Sequence, residues 1–487
     1  MSARRLLAAL VMITCAPAMV EAQQAAGGRC NIELKAGSDS TRLNTTSPTA
    51  DGPRNVFVGG RVVARCLNQD VSLVADSAEW YQQAQVLYLL GNVRYTEPRV
   101  RVSSDQMNYF QVDERLIAIG HVEATLPSSS VMRGDSATYY RAVRGIRPQS
   151  RLVAQNRPRL FLAQRDSGGK PGEPVQVTAN QITTENDSVV YAGGRVEITR
   201  SDLDARSDSA FLDSGREFAR LMIKPVIIGK GERGYTLRGR QVELYTRNRV
   251  VQRVLAQAEA RVTSEDMLLT ADTIDLRVDG NKAQAAYIWG KSRARAISPD
   301  RDLIADSLAV RMPDQRLREV RAFVDAIATT IPDTATVRSG EKDWLKGDTI
   351  YAFFDSAARA PRAAADTTTV RPQLRQMQSL GHASARYQVS AQGSTPARPG
   401  INYSRGERIT VTLDSTGVSR VQIDEKAVGV YLEPVLDSSV TLPAPASTPL
   451  RAPAPVPPGT PPVVSPAARS PAVKPAAVTP RTVPGRP

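Results

Sequence analysis

The sequence predicts an all-β protein of repeated antiparallel strands stacked on one another, and three observations predict it. Helical periodicity is weak along the whole chain. Short β-branched and apolar runs, such as Gln85-Val-Leu-Tyr-Leu-Leu90 and Arg115-Leu-Ile-Ala-Ile119, sit between turn residues. A short pattern also recurs nine times at intervals of 28 to 45 residues. A single period of that length cannot bury its own apolar face, so neighbouring periods must stack.

The recurring pattern reads apolar, any, small, Asp, any, apolar, any, apolar. It appears as Leu73-Val-Ala-Asp76-Ser-Ala-Glu-Trp80, Val102-Ser-Ser-Asp105-Gln-Met-Asn-Tyr109 and Met132-Arg-Gly-Asp135-Ser-Ala-Thr-Tyr139. Later copies centre on Asn180, Asp208, Arg240, Asp272, Asp306 and Asp348. The apolar columns lie three and one residues before the Asp, then two and four after it. Strict alternation would place the later pair one residue earlier, so the inward face slips by one at the Asp. A one-residue slip in a strand marks a bulge or corner. The small residue before the Asp lets the backbone bend, and the Asp is expected to hydrogen-bond amides of the bend. Each copy therefore reads as a strand, a sharp corner and a second strand, with three or four short strands per period. A second marker recurs about 14–18 residues after the Asp column: Gly91-Asn-Val93, Gly120-His-Val122, Gly194-Arg-Val196, Ala258-Glu-Ala260, Gly290-Lys-Ser292 and, further on, Gly381-His-Ala383. Its variable middle residue reads as an exposed turn position. His121 and His382 share that slot with Asn92, Arg195, Glu259 and Lys291, which argues against a dedicated ligand role.

The two ends are of other material. Arg4 and Arg5 precede the apolar stretch Leu6 to Val20, and Val20-Glu21-Ala22 is a small-residue cleavage pattern, so 1–22 reads as an export signal. Cys30 and Cys66 then remain. They either pair in an oxidising compartment, pinning the N-terminal lead to the first strands, or stay as two free thiols. From Thr441 onward 15 of 47 residues are Pro, a density that blocks helix and sheet alike and predicts an extended, disordered tail. The tail holds five basic and no acidic residues, and with the leader set aside the body holds 56 basic and 48 acidic ones. A surface so mixed carries no concentrated basic stripe, and no nucleic acid partner is expected. Two His and three Cys in 487 residues offer no zinc-ligand set. Repeat-equivalent Asp residues at corners are turn formers rather than calcium ligands or paired catalytic carboxylates. No catalytic residue, metal or cofactor is therefore expected.

The stretch from Asp76 to Thr125 resembles the OstA-like domain of LptA and of the N-terminal part of LptD. The resemblance rests on Leu90-Gly-Asn-Val-Arg-Tyr95, Val102-Ser-Ser-Asp-Gln-Met-Asn-Tyr109 and Arg115-Leu-Ile-Ala-Ile-Gly-His-Val122. The degenerate repeat extends it over roughly 70–435. The chain is longer than a typical LptA and lacks the large C-terminal barrel of LptD. The resemblance implies a β-taco or β-jellyroll with an apolar groove, and transport of lipopolysaccharide across the periplasm toward the outer membrane. On this reading the chain divides into signal peptide 1–22, N-terminal lead 23–65, OstA-like repeats over 66–165 and 175–435, and the tail 441–487. The protein is expected in the periplasm, peripheral to membranes.

If the inward columns face a groove, acyl chains lie among ordinary apolar side chains. The expected contacts are Leu73, Trp80, Val102, Met107, Tyr109, Val122, Met132, Tyr139, Val177, Ile182, Leu237 and Leu269, with Ile274 and Leu303 beside them. In a dry solenoid the same residues would fill a closed core. Open strands at the ends of the stack are expected to pair with a second copy or with other OstA-fold proteins. The rival function is a secreted structural or adhesive β-solenoid without lipid cargo.

Overall fold

The structure is a computed structural model. It describes residues 28–36, 42–46, 52–165, 171–186, 188–230, 234–248, 250–264, 267–279, 282–331, 339–355, 373–389, 399–414 and 417–433. The expected export signal and Pro-rich tail lie outside the described residues. The described part belongs to one compact unit spanning 1–435.

Among the described residues that unit is all-β, as the sequence predicts: 28 strands joined into one antiparallel sheet, with a single 3-10 turn at Pro313–Gln315. Most strands are long and pair with the next strand in sequence, from Asn55–Cys66 and Ser72–Tyr81 through Val100–Phe110 to Val131–Tyr140. Elsewhere two shorter strands share one level. Arg151–Gln155 pairs with the second half of Val131–Tyr140, and Arg159–Arg165 pairs with its first half.

The Asp corner does not separate two strands. It lies within one long strand, at a break in register, and two such strands make up a period. Between the paired residues Leu90/Gln106 and Val93/Ser104, Gly91 and Asn92 stand opposite Asp105 alone. The marker strand thus carries one residue more than its neighbour, which is a bulge. The same shift recurs at Ile119/Val122, Gly193/Val196, Gln257/Ala260, Phe323/Ala326 and Leu380/Ala383. Stacked bulges crease the sheet, and every long strand contributes an arm to each side of the crease.

The corner backbone explains the marker. Gly91, Gly120, Gly194 and Gly381 have φ between 71° and 77°, and the residue after each is also left-handed, from 43° at His121 to 48° at Arg195. Glycine is favoured at the first position for a second reason: a Cβ on Gly91 would lie 2.4 Å from an Asp76 carboxylate oxygen. The two columns found in the sequence are therefore partners across the crease. The Asn92 amide donates to Asp76 at 2.8 Å, His121 Nδ1 lies 2.8 Å from Asp105, and His382 Nδ1 lies 3.0 Å from Asp348. The expected Asp-to-amide bond forms at Asp272, and the donors, Lys291 and Ser292, lie on the neighbouring strand. Asn156-Arg157, Ile223-Lys224, Val324-Asp325 and Glu425-Lys426 adopt the same pair of left-handed residues without the full motif, and Gly60 alone is left-handed at the corresponding bulge of the first long strand.

Candidate functional site

The apolar columns that the sequence assigns to the inner face are buried, with Trp80, Leu212 and Leu303 half-buried among them. One column on the second arm runs through Leu73, Tyr95, Val102, Ala124, Met132, Leu160 and Val177 as directly paired residues. It continues through Leu237, Val262, Leu269, Ala296, Leu303 and Ala328. On the first arm the corresponding column is Trp80, Leu87, Tyr109, Leu116, Tyr139 and Leu152. Met107 and Ile182 lie on a third column nearer the crease, and Val122 follows the corner directly. The expected lipid contacts thus share one interior, but that interior is not uniform along the stack.

The N-terminal levels are filled. Leu73, Met107, Tyr109 and Met132 are fully buried, Val102, Val122 and Tyr139 almost so, and Trp80 packs against them half-buried. Tyr95 and Tyr139, on opposite arms, bring their rings to 5.9 Å. A polar cluster completes the filling. The Arg141 guanidinium lies 2.7 Å from Glu114 and 3.4 Å from Glu97, and Glu114 is fully buried. The phenols of Tyr95 and Tyr139 donate to Glu97, and that of Tyr109 donates to Glu114. Burial opposes the charge of Arg141, but the facing Tyr95 and Tyr109 oxygens and both carboxylates outweigh it and raise its pKa. Burial likewise raises the Tyr109 phenol. The other Glu114 oxygen accepts from the Cys30 amide at 2.6 Å, and Cys30 is joined to Cys66 with Cα atoms 4.9 Å apart. The two cysteines pair, so the N-terminal lead closes over this end.

The C-terminal levels are not filled. Between the arms, over residues 235–414, lies a cavity of about 680 Å³. This is within the roughly 300–1,000 Å³ range of small-molecule sites. Leu269, Ala296, Leu303 and Ala328 line it from one arm, and Leu276, Val320, Ala352 and Met377 from the other. Met267, Met312, Leu317, Phe354 and Leu374 complete the apolar wall. Burial, then the nearby Asp202, pushes the Tyr235 phenol at its edge up to about 12, so the phenol stays neutral. The space has a cause in the sequence. The first-arm column that carries Trp80, Tyr109 and Tyr139 early in the chain carries Ala286, Val310, Val320 and Ala352 later. Smaller side chains at the same spacing leave the arms apart.

Of the twelve expected contacts, Leu269 lines this cavity. The eight from Leu73 to Tyr139 lie in packed levels. Val177, Ile182, Leu237 and Ile274 are buried outside the lining, although the strands of Val177 and Ile182 also border a smaller cavity of about 150 Å³ at Val175 and Thr184. Leu303 lines the larger one. Met267, Met312 and Met377 escaped the repeat pattern. The signal that finds them is the fall in side-chain bulk along the columns, together with three of the nine methionines between 267 and 377. Thioethers adapt to irregular apolar shapes.

The C-terminal end level is open among the described residues. At the C-terminal end Gly417–Asp424 and Val428–Leu432 pair only with Gly400–Asp414 among the described residues. All five residues of Val428–Leu432 are exposed, including Val428, Val430, Tyr431 and Leu432. Compared with known proteins, the chain matches no family model and no curated sequence.

Proposed function

We propose that this is a periplasmic lipid-binding protein of the OstA-like, LptA-like kind, which carries acyl chains of lipopolysaccharide or a related glycolipid between its arms toward the outer membrane. The observation that carries the reading is the apolar cavity walled by Leu269, Leu303, Ala328, Ala352 and Met377. Each methylene taken from water into such a wall contributes about 0.8 kcal/mol, so binding needs no catalytic group. The Cys30–Cys66 bond supports an oxidising compartment. The exposed end strand supports strand addition to a second copy or to a similar fold, which would extend the trough from one molecule to the next.

A structural solenoid without cargo accounts for the filled N-terminal levels but leaves the C-terminal cavity without a purpose. The test is a photo-crosslinking residue at Leu303 in one sample and at Met107 in another, followed by mass spectrometry of the protein purified from its host. Acylated lipid attached at 303 and absent at 107 supports carriage. A folded protein with no lipid at either position refutes it.

A further inference from the structure

Six methionines lie among the described residues, and their surroundings sort them into three kinds. Met107 and Met132 are fully buried in the filled N-terminal levels. Met222 follows the fully buried Leu221 in its strand, so it stands on the outer face, paired with Ser209 and Gln241. Met267, Met312 and Met377 all line the C-terminal cavity, half-buried at the margin of the apolar interior. Met267 lies two residues before Leu269 on one arm. On the other arm Met312 lies two residues beyond Val310, and Met377 is paired with Ala352. Thioethers therefore line the space from both arms.

We propose that these three thioethers are an oxidation site that controls the cavity: a peroxide converts them to sulfoxides, and the oxidised wall no longer holds an acyl chain. This rests on the reading that the cavity holds acyl chains. The sulfur lone pair attacks one oxygen of hydrogen peroxide and the O–O bond breaks. Sulfur is oxidised by two electrons and keeps that oxygen. The departing hydroxide takes the proton of the transferred hydroxyl and leaves as water. An oxidant reaches a sulfur only where solvent does, which selects the cavity methionines and Met222 over the sealed Met107 and Met132. A sulfoxide is polar, and Leu303, Ala352 and Phe354 offer it no donor, so its oxygen draws water into space that hydrocarbon would fill. The converse also holds. A chain lying against the three sulfurs shields them, so the loaded protein resists oxidation and the empty one does not.

The test treats the full chain with hydrogen peroxide, maps sulfoxides by peptide mass spectrometry and measures dodecyl maltoside binding by isothermal titration below its micelle concentration. Sulfoxide should form at Met267, Met312, Met377 and Met222 while Met107 and Met132 stay reduced, and affinity should fall by roughly tenfold or more. Saturating detergent added before the oxidant should slow sulfoxide formation at least fivefold at the three cavity positions and leave Met222 unchanged. The triple variant Met267→Leu/Met312→Leu/Met377→Leu should bind the detergent equally before and after peroxide. Shielding and affinity on the unaltered protein decide the matter even if that variant misfolds. Undiminished binding by the oxidised protein, no shielding by bound detergent, or an equal loss in the folded triple variant overturns the switch and leaves acyl carriage standing. A reduced protein that does not bind the detergent overturns acyl carriage as well.

Discussion

Tyr95 and Tyr139 face each other from opposite arms with ring centroids 5.9 Å apart, and both phenols donate to the same carboxylate, Glu97. This contact belongs to the filled levels, where the arms are bridged by rings and a buried ion cluster, whereas beyond residue 235 the arms are divided by a cavity lined by alanines and methionines.

The division predicts opposite responses to added bulk. Ala124 is fully buried between Val102 and Met132, so Ala124→Leu should cost about 1–3 kcal/mol by overpacking. Ala352 lines the cavity, so Ala352→Leu should be neutral or stabilising. Urea denaturation of the two variants checks the difference, and equal losses would mean that both levels are packed alike.

Arg141 is expected to be the most sensitive charged residue. Arg141→Met leaves the buried Glu114 carboxylate without its cation and should cost about 3–5 kcal/mol. Adding Glu114→Gln should recover part of that loss, since the uncompensated charge is then gone. Thermal unfolding of the single and double variants provides the measurement.

Reduction of Cys30–Cys66 releases the lead that caps Glu114. With a sequence separation of 36 residues, the variant Cys30→Ser should lower stability by about 2–4 kcal/mol. A midpoint unchanged under reducing conditions would show that the lead contributes nothing.

The crease histidines give a pH signature. The hydrogen bond to Asp105, then its charge, raises the His121 pKa above the usual imidazole value, and Asp348 acts in the same way on His382. Because the folded value is raised, the pair is favourable below the ordinary imidazole pKa, and the gain is lost as pH rises through the higher one. Both side chains are almost fully exposed, so the effect belongs in NMR titration curves rather than in stability. Asp105→Asn should return the His121 midpoint to the ordinary value.

Strand addition at the C-terminal end predicts concentration-dependent association. Val430→Lys places a charge on the exposed strand Val428–Leu432 and should shift sedimentation profiles toward monomer. An unchanged profile would exclude this edge as the contact.

The sequence revealed the corners because they impose rigid demands: a left-handed residue, a close approach and a carboxylate partner all restrict residue choice. The copies at Asn156-Arg157, Ile223-Lys224 and Glu425-Lys426 went unread because asparagine, lysine and even isoleucine occupy the left-handed conformation there without glycine. The inner columns were legible as apolar periodicity. Where they open was not, because Ala352 and Tyr109 are equally apolar in a pattern and differ only in volume. The ion cluster was invisible for another reason. Glu97, Glu114 and Arg141 converge from separate strand ends, and no spacing rule connects them.

The extra residues at the crease have a consequence for how this chain tolerates insertions and deletions. Loss of Asn92 would leave Gly91 alone opposite Asp105, removing the bulge, one left-handed residue of the corner and the hydrogen bond to Asp76. Extra residues are accepted at the hairpin loops on the open side, as in the ten-residue connection 141–150, and at one place on the fold line itself, where Gly290, Lys291, Ser292 and Arg293 stand opposite Asp306 alone.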